Sequence, residues 1–220
     1  TCSPTPMRSS SGSAPTATCC TTPSARAITT SCWSSATPRR GRSLELLAYL
    51  ALHPGATPAE IDEALWPGQR VTDDMRNSLV SRTRTWLGAG TDGAPYLSHV
   101  TAEAGYRLHP AVTADWHDFV RLARRGLGGG GVDEQTLWRA MELVRGRPLL
   151  GVDPAAYAWA ESDVQNMISA IVDVAHVAAL RDHARGDNLR AREALARALI
   201  VDPANEPVHA LAMSMAVEAG

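Results

Sequence analysis

The sequence predicts a mainly α-helical chain in two parts: three helices with a small β-hairpin, then an all-helical array. Three observations carry this. Between residues 43 and 87, apolar side chains recur at helical spacing in three runs separated by Pro- and Gly-bearing breaks. Two short runs with strand character, Tyr96–Val100 and Gly105–Leu108, follow across a turn. From Asp115 onward the pattern is helical, interrupted by Gly, Pro and Asp.

In the first run, Leu44, Leu47, Ala48 and Ala51 fall on one face, and Leu46, Leu50 and Leu52 widen it. A helix this apolar is expected to be largely buried. His53-Pro54-Gly55 stops it, because Pro disfavours helix in the residue before it and Gly accepts a left-handed cap. Thr57 then caps a second helix, with Pro58 at its first position and Glu60 placed to complete a capping box. Ile61, Ala64 and Leu65 line its inner face, and Trp66-Pro67-Gly68 ends it. Thr72 caps a third helix, whose first turn carries Asp73 and Asp74, where carboxylates offset the helix dipole. Met75, Leu79, Thr83 and Trp86, joined by Val80 and Leu87, are expected to face the core. Helix, helix, longer helix, hairpin is the order of a winged helix-turn-helix, which usually lays one helix in the major groove of DNA.

The opposite face of the third helix carries Asn77, Ser78, Ser81, Arg82, Arg84 and Thr85, with Arg76 assisting. No acid follows Asp74 until Asp92, so this face is locally positive. Arg can fork onto guanine, Asn onto adenine, and hydroxyls onto phosphate. Arg107, on the hairpin, is expected along the backbone or minor groove. Solvated helices also carry exposed Arg and Ser for no purpose; the order of elements is what raises the DNA reading. Residues 40–112 hold seven Arg against eight acids. That near-neutral balance disfavours strong nonspecific binding but leaves room for a locally basic face. All 21 basic residues are Arg and the net charge is -2. This reads as the composition of a G+C-rich genome rather than a binding device, although Arg does suit bidentate contacts.

In the second part, Trp116, Phe119, Val120, Leu122 and Ala123 form one amphipathic face, ended by Gly126. Gly126–Gly131 spells GxGxxG, but it follows a helix rather than a strand and reads as a flexible connector. Leu137, Ala140, Met141 and Val144 build the next helix, ending near Arg145–Pro148. A loop, Leu149–Pro154, precedes a long helix from Tyr157 to Arg185. Its expected inner side is Trp159, Val164, Met167, Ile168, Ile171, Val174, Ala175, Ala178 and Ala179. Gly186-Asp187 turns the chain into a helix from Leu189 to Ile200, and Asp202-Pro203 leads to a last one from about Glu206. Ala191, Ala194, Ala196 and Ala198 permit close helix approach. This is the tetratricopeptide cadence, with one clear repeat and a degenerate one before it. Such arrays bind partners or pack as a scaffold.

The first 39 residues are rich in Ser, Thr, Pro and Ala, contain no acid and hold all four Cys (Cys2, Cys19, Cys20, Cys32). They show no apolar periodicity, no signal-peptide core and no membrane-spanning run. They are expected to be a disordered or non-native segment; out-of-frame or mis-started translation would explain them, and the missing initiator Met suggests a fragment. The Cys spacings form no CxxC pairs, which argues against a zinc site or disulfide framework. A reducing cytoplasm is the expected compartment.

The seven His are scattered and form no HExxH, and there is no phosphate-loop GKS/T and no GxSxG elbow. His176 and His183 share a helix face two turns apart, too far for one metal. No enzymatic activity, metal or cofactor is expected.

The string "SLELLAYLALHPGATPAEIDEALWPG…MRNSLVSRTRTWLG…GYRL" resembles the winged-helix part of actinobacterial SARP-type regulators. The strings "DWHDFVRLARRG", "RGRPLLG", "YAWAESD" and "GDNLRAREALARALIVDPANEPVHALAM" resemble the bacterial transcriptional activator domain that adjoins it. The resemblance covers roughly residues 40–220. It implies a DNA-binding domain over 40–112 and an all-α, TPR-like domain over 113–220, within which the chain stops. The implied partners are double-stranded DNA, RNA polymerase or another protein through the helical domain, and a second copy in a homodimer. The same strings resemble the C-terminal part of LysM-containing proteins with membrane helices. That leaves open a non-DNA-binding interaction module of a larger, anchored protein.

Overall fold

Leu46, Leu47 and Leu50 make α1 (Gly41–Leu52) an interior helix. The computed structural model describes residues 27–28, 41–98, 105–128 and 133–218. Within α1 one assignment changes: Leu44 is half-exposed, whereas Glu45 is buried, at 1% exposure. Burial pushes the Glu45 carboxyl up, and the Arg42 guanidinium 2.9 Å away draws it back down. The same guanidinium, itself part-exposed, donates to the Leu65 carbonyl at 2.6 Å and lies over the Trp66 ring, so one cation ties α1 to α2 (Pro58–Leu65).

The helix ends follow the expected chemistry. Gly55, at φ 91, turns the chain after α1. Thr57 and Glu60 form the reciprocal capping box, with the Thr57 amide donating to Glu60 Oε2 at 2.7 Å. Thr72 caps α3 (Asp73–Leu87) by accepting from the Met75 amide.

The hairpin expected over Tyr96–Leu108 is not a continuous two-stranded ladder. Leu97 bridges Leu108, and the Ser98 amide donates to the Arg107 carbonyl at 3.0 Å. Tyr106 instead bridges Ala56, in the α1–α2 connection: its amide donates to the Ala56 carbonyl at 2.9 Å and its carbonyl accepts from the Gly55 amide at 2.8 Å. The reason is geometric. Successive residues of an extended segment aim their backbone groups to opposite sides, so 105–109 serves two neighbours at once. Residues 99–104, the expected tip, lie outside the described residues. Gly105, at φ 62, abuts Gly55 so closely that a Cβ there would lie 2.0 Å from the Gly55 carbonyl oxygen.

One strand has no counterpart in the sequence pattern. Ala27–Ile28 (β1) pairs in parallel with Thr113–Ala114 (β2), in register Ala27↔Thr113 and Ile28↔Ala114. It falls inside the segment 1–39 expected to be disordered or non-native. A two-residue strand has no periodicity to detect, and its partner is far along the chain. The rest of that segment, all four Cys included, lies outside the described residues.

In the second half, α4 (Asp115–Leu127) runs through Gly126 rather than ending at it. Gly126 is buried against α5 (Glu134–Met141), where a Cβ would lie 2.6 Å from Leu137 Cδ2, so the missing side chain allows the two helices to close. Residues 129–131 of the expected connector lie outside the described residues. A short 3₁₀ turn, Ala158–Ala160, occupies the start of the expected long helix, and α6 is Glu161–Ala184. The expected inner side of α6 is buried from Val164 to Ala179, and Trp159 is half-buried. In α7 (Asn188–Val201), Ala191, Ala194 and Ala198 are buried, as close packing requires, while Ala196 is exposed. The last helix, α8, is Glu206–Glu218.

The chain is thus mainly α-helical, with one hydrophobic cluster drawn from residues 46–112 and another from 119–215. Trp159 packs against both. Its ring meets Tyr49 edge-on at 5.0 Å, and beside it His53 Nε2 lies 3.1 Å from Asp163 Oδ2. No helix among the described residues is long and apolar enough to cross a membrane.

The second cluster contains a buried polar tie. Trp138 Nε1 donates to Asp182 Oδ2 at 2.9 Å, and the Arg190 guanidinium covers the Trp138 ring at 4.5 Å, joining α5, α6 and α7. Asp182 is 3% exposed. Trp138→Phe removes the donor and leaves the carboxylate buried, so urea denaturation should show a loss of about 1–3 kcal/mol. Asp182→Asn keeps an acceptor and should cost less.

His183 ties α6 to α8. Its Nδ1 lies 2.7 Å from Asn188 Oδ1 and its Nε2 2.9 Å from Glu218 Oε2. Two acceptors at two ring nitrogens suit the imidazolium, which alone carries both protons. The bond to Glu218, then that to Asn188, raises the His183 pKa; the bond from His183 lowers that of Glu218. The His183 contribution is therefore present below about pH 6.5 and is lost as pH rises through its raised folded value. The Glu218 contribution is present above about pH 4.5 and is lost as pH falls through its lowered value. Hydrogen-exchange protection of α8 should fall as pH rises above about 6.5, and His183→Gln should flatten that dependence.

Candidate nucleic-acid interface

The site is built by seating α3 on α1. Thr83 is fully buried and donates to Ser43 Oγ or the Leu79 carbonyl, at 3.0 and 2.8 Å. Leu79, Val80 and Leu87 are buried on the same side, with Trp86 partly buried beside them. Met75, expected to face the core, is 43% exposed because it sits in the first turn, beyond the reach of α1's apolar face.

This seating turns Asn77, Ser78, Ser81, Arg82 and Thr85 outward; all five are exposed. They recur every three or four residues and so share one face. Arg82 Nε donates to the Ser78 carbonyl at 3.1 Å, which lays the guanidinium along that face.

The remaining three candidates are placed differently. Arg76 is only 9% exposed and pairs with Asp62 of α2 and Asp73 of α3. Burial pulls its pKa down, but the hydrogen bonds and charges of Asp73 and Asp62 outweigh this and raise it. Arg76 therefore locks α2 to α3 and leaves the outward face. Arg84 is half-buried; its Nε donates to the Leu97 carbonyl at 3.0 Å and its Nη2 to the Ser98 carbonyl at 2.9 Å. It pins the extended segment to the end of α3. Arg107 is exposed on the neighbouring stretch, where its amide donates to Ser98 Oγ at 3.1 Å.

A turn braces the same end. Asp92 Oδ1 accepts from the Ala94 amide at 3.0 Å and Oδ2 lies 3.2 Å from His109 Nε2. The Ala94 amide, then the His109 ring, holds the Asp92 carboxyl below the usual range. Arg70, exposed in the α2–α3 connection, is a further cation near the start of α3. Nothing in its sequence context marks it except its place two residues before the Thr72 cap. Asp73 and Asp74 are exposed at that same end, so positive charge increases toward the C-terminal half of the helix.

Compared with protein-family models, curated proteins and solved structures, the chain matches none. Among the described residues no group of three or more His, Cys, Asp or Glu is placed to hold a metal ion. The arrangement offers one cationic side chain, one amide and several hydroxyls along a helix.

Proposed function

We propose that the chain is a DNA-binding transcriptional regulator that inserts α3 into the major groove. The observation that carries this is the outward row Asn77, Ser78, Ser81, Arg82 and Thr85 on a helix held rigidly from behind. Helix α3 follows α2 after the connection 66–72, the helix order of a helix-turn-helix with a linker longer than its usual tight turn. The extended segment 105–109, between Ala56 on one side and Leu97–Ser98 on the other, supports a winged variant of that fold. Arg107 then follows the phosphate backbone or minor groove. The α6–α7 pair, packed through alanines and followed by α8, supports a TPR-like module that contacts RNA polymerase or another protein, or a second copy of this chain.

One observation favours a second reading. Arg76 is neutralised by two acids, and the first turn of α3 carries Asp73 and Asp74, so half the helix is not cationic. An interaction module without DNA binding, part of a larger protein, would tolerate this.

Selection of bound fragments from sheared genomic DNA by the full chain, followed by a salt titration, decides between the two. A repeated sequence motif is the expected result. No enrichment over random DNA at low salt would leave the interaction module standing.

A further inference from the structure

The loop after α5 contains a conformation that its sequence does not favour. Leu149 has φ 55, and among the described residues it is the one non-glycine residue with positive φ. A leucine resists this region because its Cβ crowds the backbone, and such residues cluster at binding sites. Two bonds hold the loop, from the Leu150 amide to the Arg147 carbonyl (3.1 Å) and from the Val152 amide to the Leu149 carbonyl (3.3 Å). The result is that Leu150 stands 74% exposed.

Leu150 borders a groove of about 280 Å³ between α4, α6 and this loop. Its apolar lining includes Trp116, Phe119, Leu143, Met167 and Ile171, with the Trp116 and Phe119 rings stacked at 5.3 Å. Its charged lining is Arg145 and Arg147 against one carboxylate, Asp115. Both arginines are exposed. An apolar interior with an excess of guanidinium at its edge complements a molecule that is apolar for most of its length and anionic at one end.

We propose that this groove binds a small anionic amphiphile, a carboxylate on an apolar chain. The chain lies on Phe119, Met167 and Ile171, the carboxylate meets Arg147, and Leu150 folds over the bound chain. The strained loop gives the protein a binding surface between α4 and α6, far in sequence from α3. The proposal does not rest on DNA binding, because its test reads ligand binding directly.

The test is calorimetric titration of the full chain with sodium decanoate below its micellar range, with decanol and decyltrimethylammonium as controls. Saturable binding of decanoate, at least ten-fold tighter than either control, is expected. The charge-reversed variant Arg147→Glu alters one exposed side chain and should keep its circular dichroism while losing at least ten-fold in decanoate affinity. Leu150→Ser should weaken binding without changing the preference for the anion. Absence of saturable binding, equal binding of decanol, or full affinity in the charge-reversed variant would each overturn the proposal.

Discussion

Gly105→Ala should destabilise the protein by about 3 kcal/mol or more, lowering Tm by roughly 6–12 °C for a chain of this size. Two costs combine. The residue sits at φ 62, which a Cβ disfavours. The added carbon would also lie 2.0 Å from the Gly55 carbonyl oxygen and 2.8 Å from that of Ala56. Neither atom can swing aside as a side chain could, so the Gly55–Tyr106 and Ala56–Tyr106 bonds must lengthen or break. Gly93→Ala is the matched control: φ there is 78, yet nothing lies within 4 Å of the added carbon. It should cost only the conformational part, about 1 kcal/mol. If thermal melts showed equal losses for the two variants, the close approach of residues 105 and 55 would not be a feature of the folded state.

Arg82→Ala should reduce affinity for the selected DNA motif by about 10–100-fold, the worth of one bidentate base contact, and leave Tm unchanged. Arg84→Ala should behave in the opposite sense. It removes two charged hydrogen bonds, to the carbonyls of Leu97 and Ser98, and should cost about 1.5–3 kcal/mol of stability. Any effect of Arg84→Ala on DNA then arises through loosening of the segment it pins. The two replacements must be made separately, because a double variant would confuse reading with folding. A salt titration distinguishes the roles available to Arg82. Loss confined to the motif indicates base contact; uniform loss, with a salt slope smaller by about one, indicates phosphate contact. Unchanged binding of both motif and random DNA would remove α3 from the interface.

The helices are most legible where they are marked at both scales. Their caps are local chemistry, such as Thr57 with Glu60, and their buried faces repeat at 3.6 residues, as from Val164 to Ala179. The illegible parts depend on distant partners. Arg76 carries the same formal charge as Arg82, and only the positions of Asp62 and Asp73 bury one and not the other. Arg84 lies two residues beyond Arg82, which on a helix turns it to another side; what waits on that side, the carbonyls of Leu97 and Ser98, is set by a distant part of the chain. Gly126 reads as a helix stop until Leu137 is found against it. Two-residue strands such as Ala27–Ile28 carry too little pattern to detect, and Tyr106 gives no sign that its backbone partner is Ala56.

The indole of Trp159 belongs to both hydrophobic clusters, so the seam at residues 112–113 is not a clean place to cut the chain. A fragment ending there would keep every helix of the first cluster yet uncover Tyr49 and strip His53 of Asp163. A fragment starting there would leave the Tyr49-facing side of the Trp159 ring in water. Each half is the other's missing wall, and an excised piece inherits a wet aromatic face that the intact polypeptide never displays.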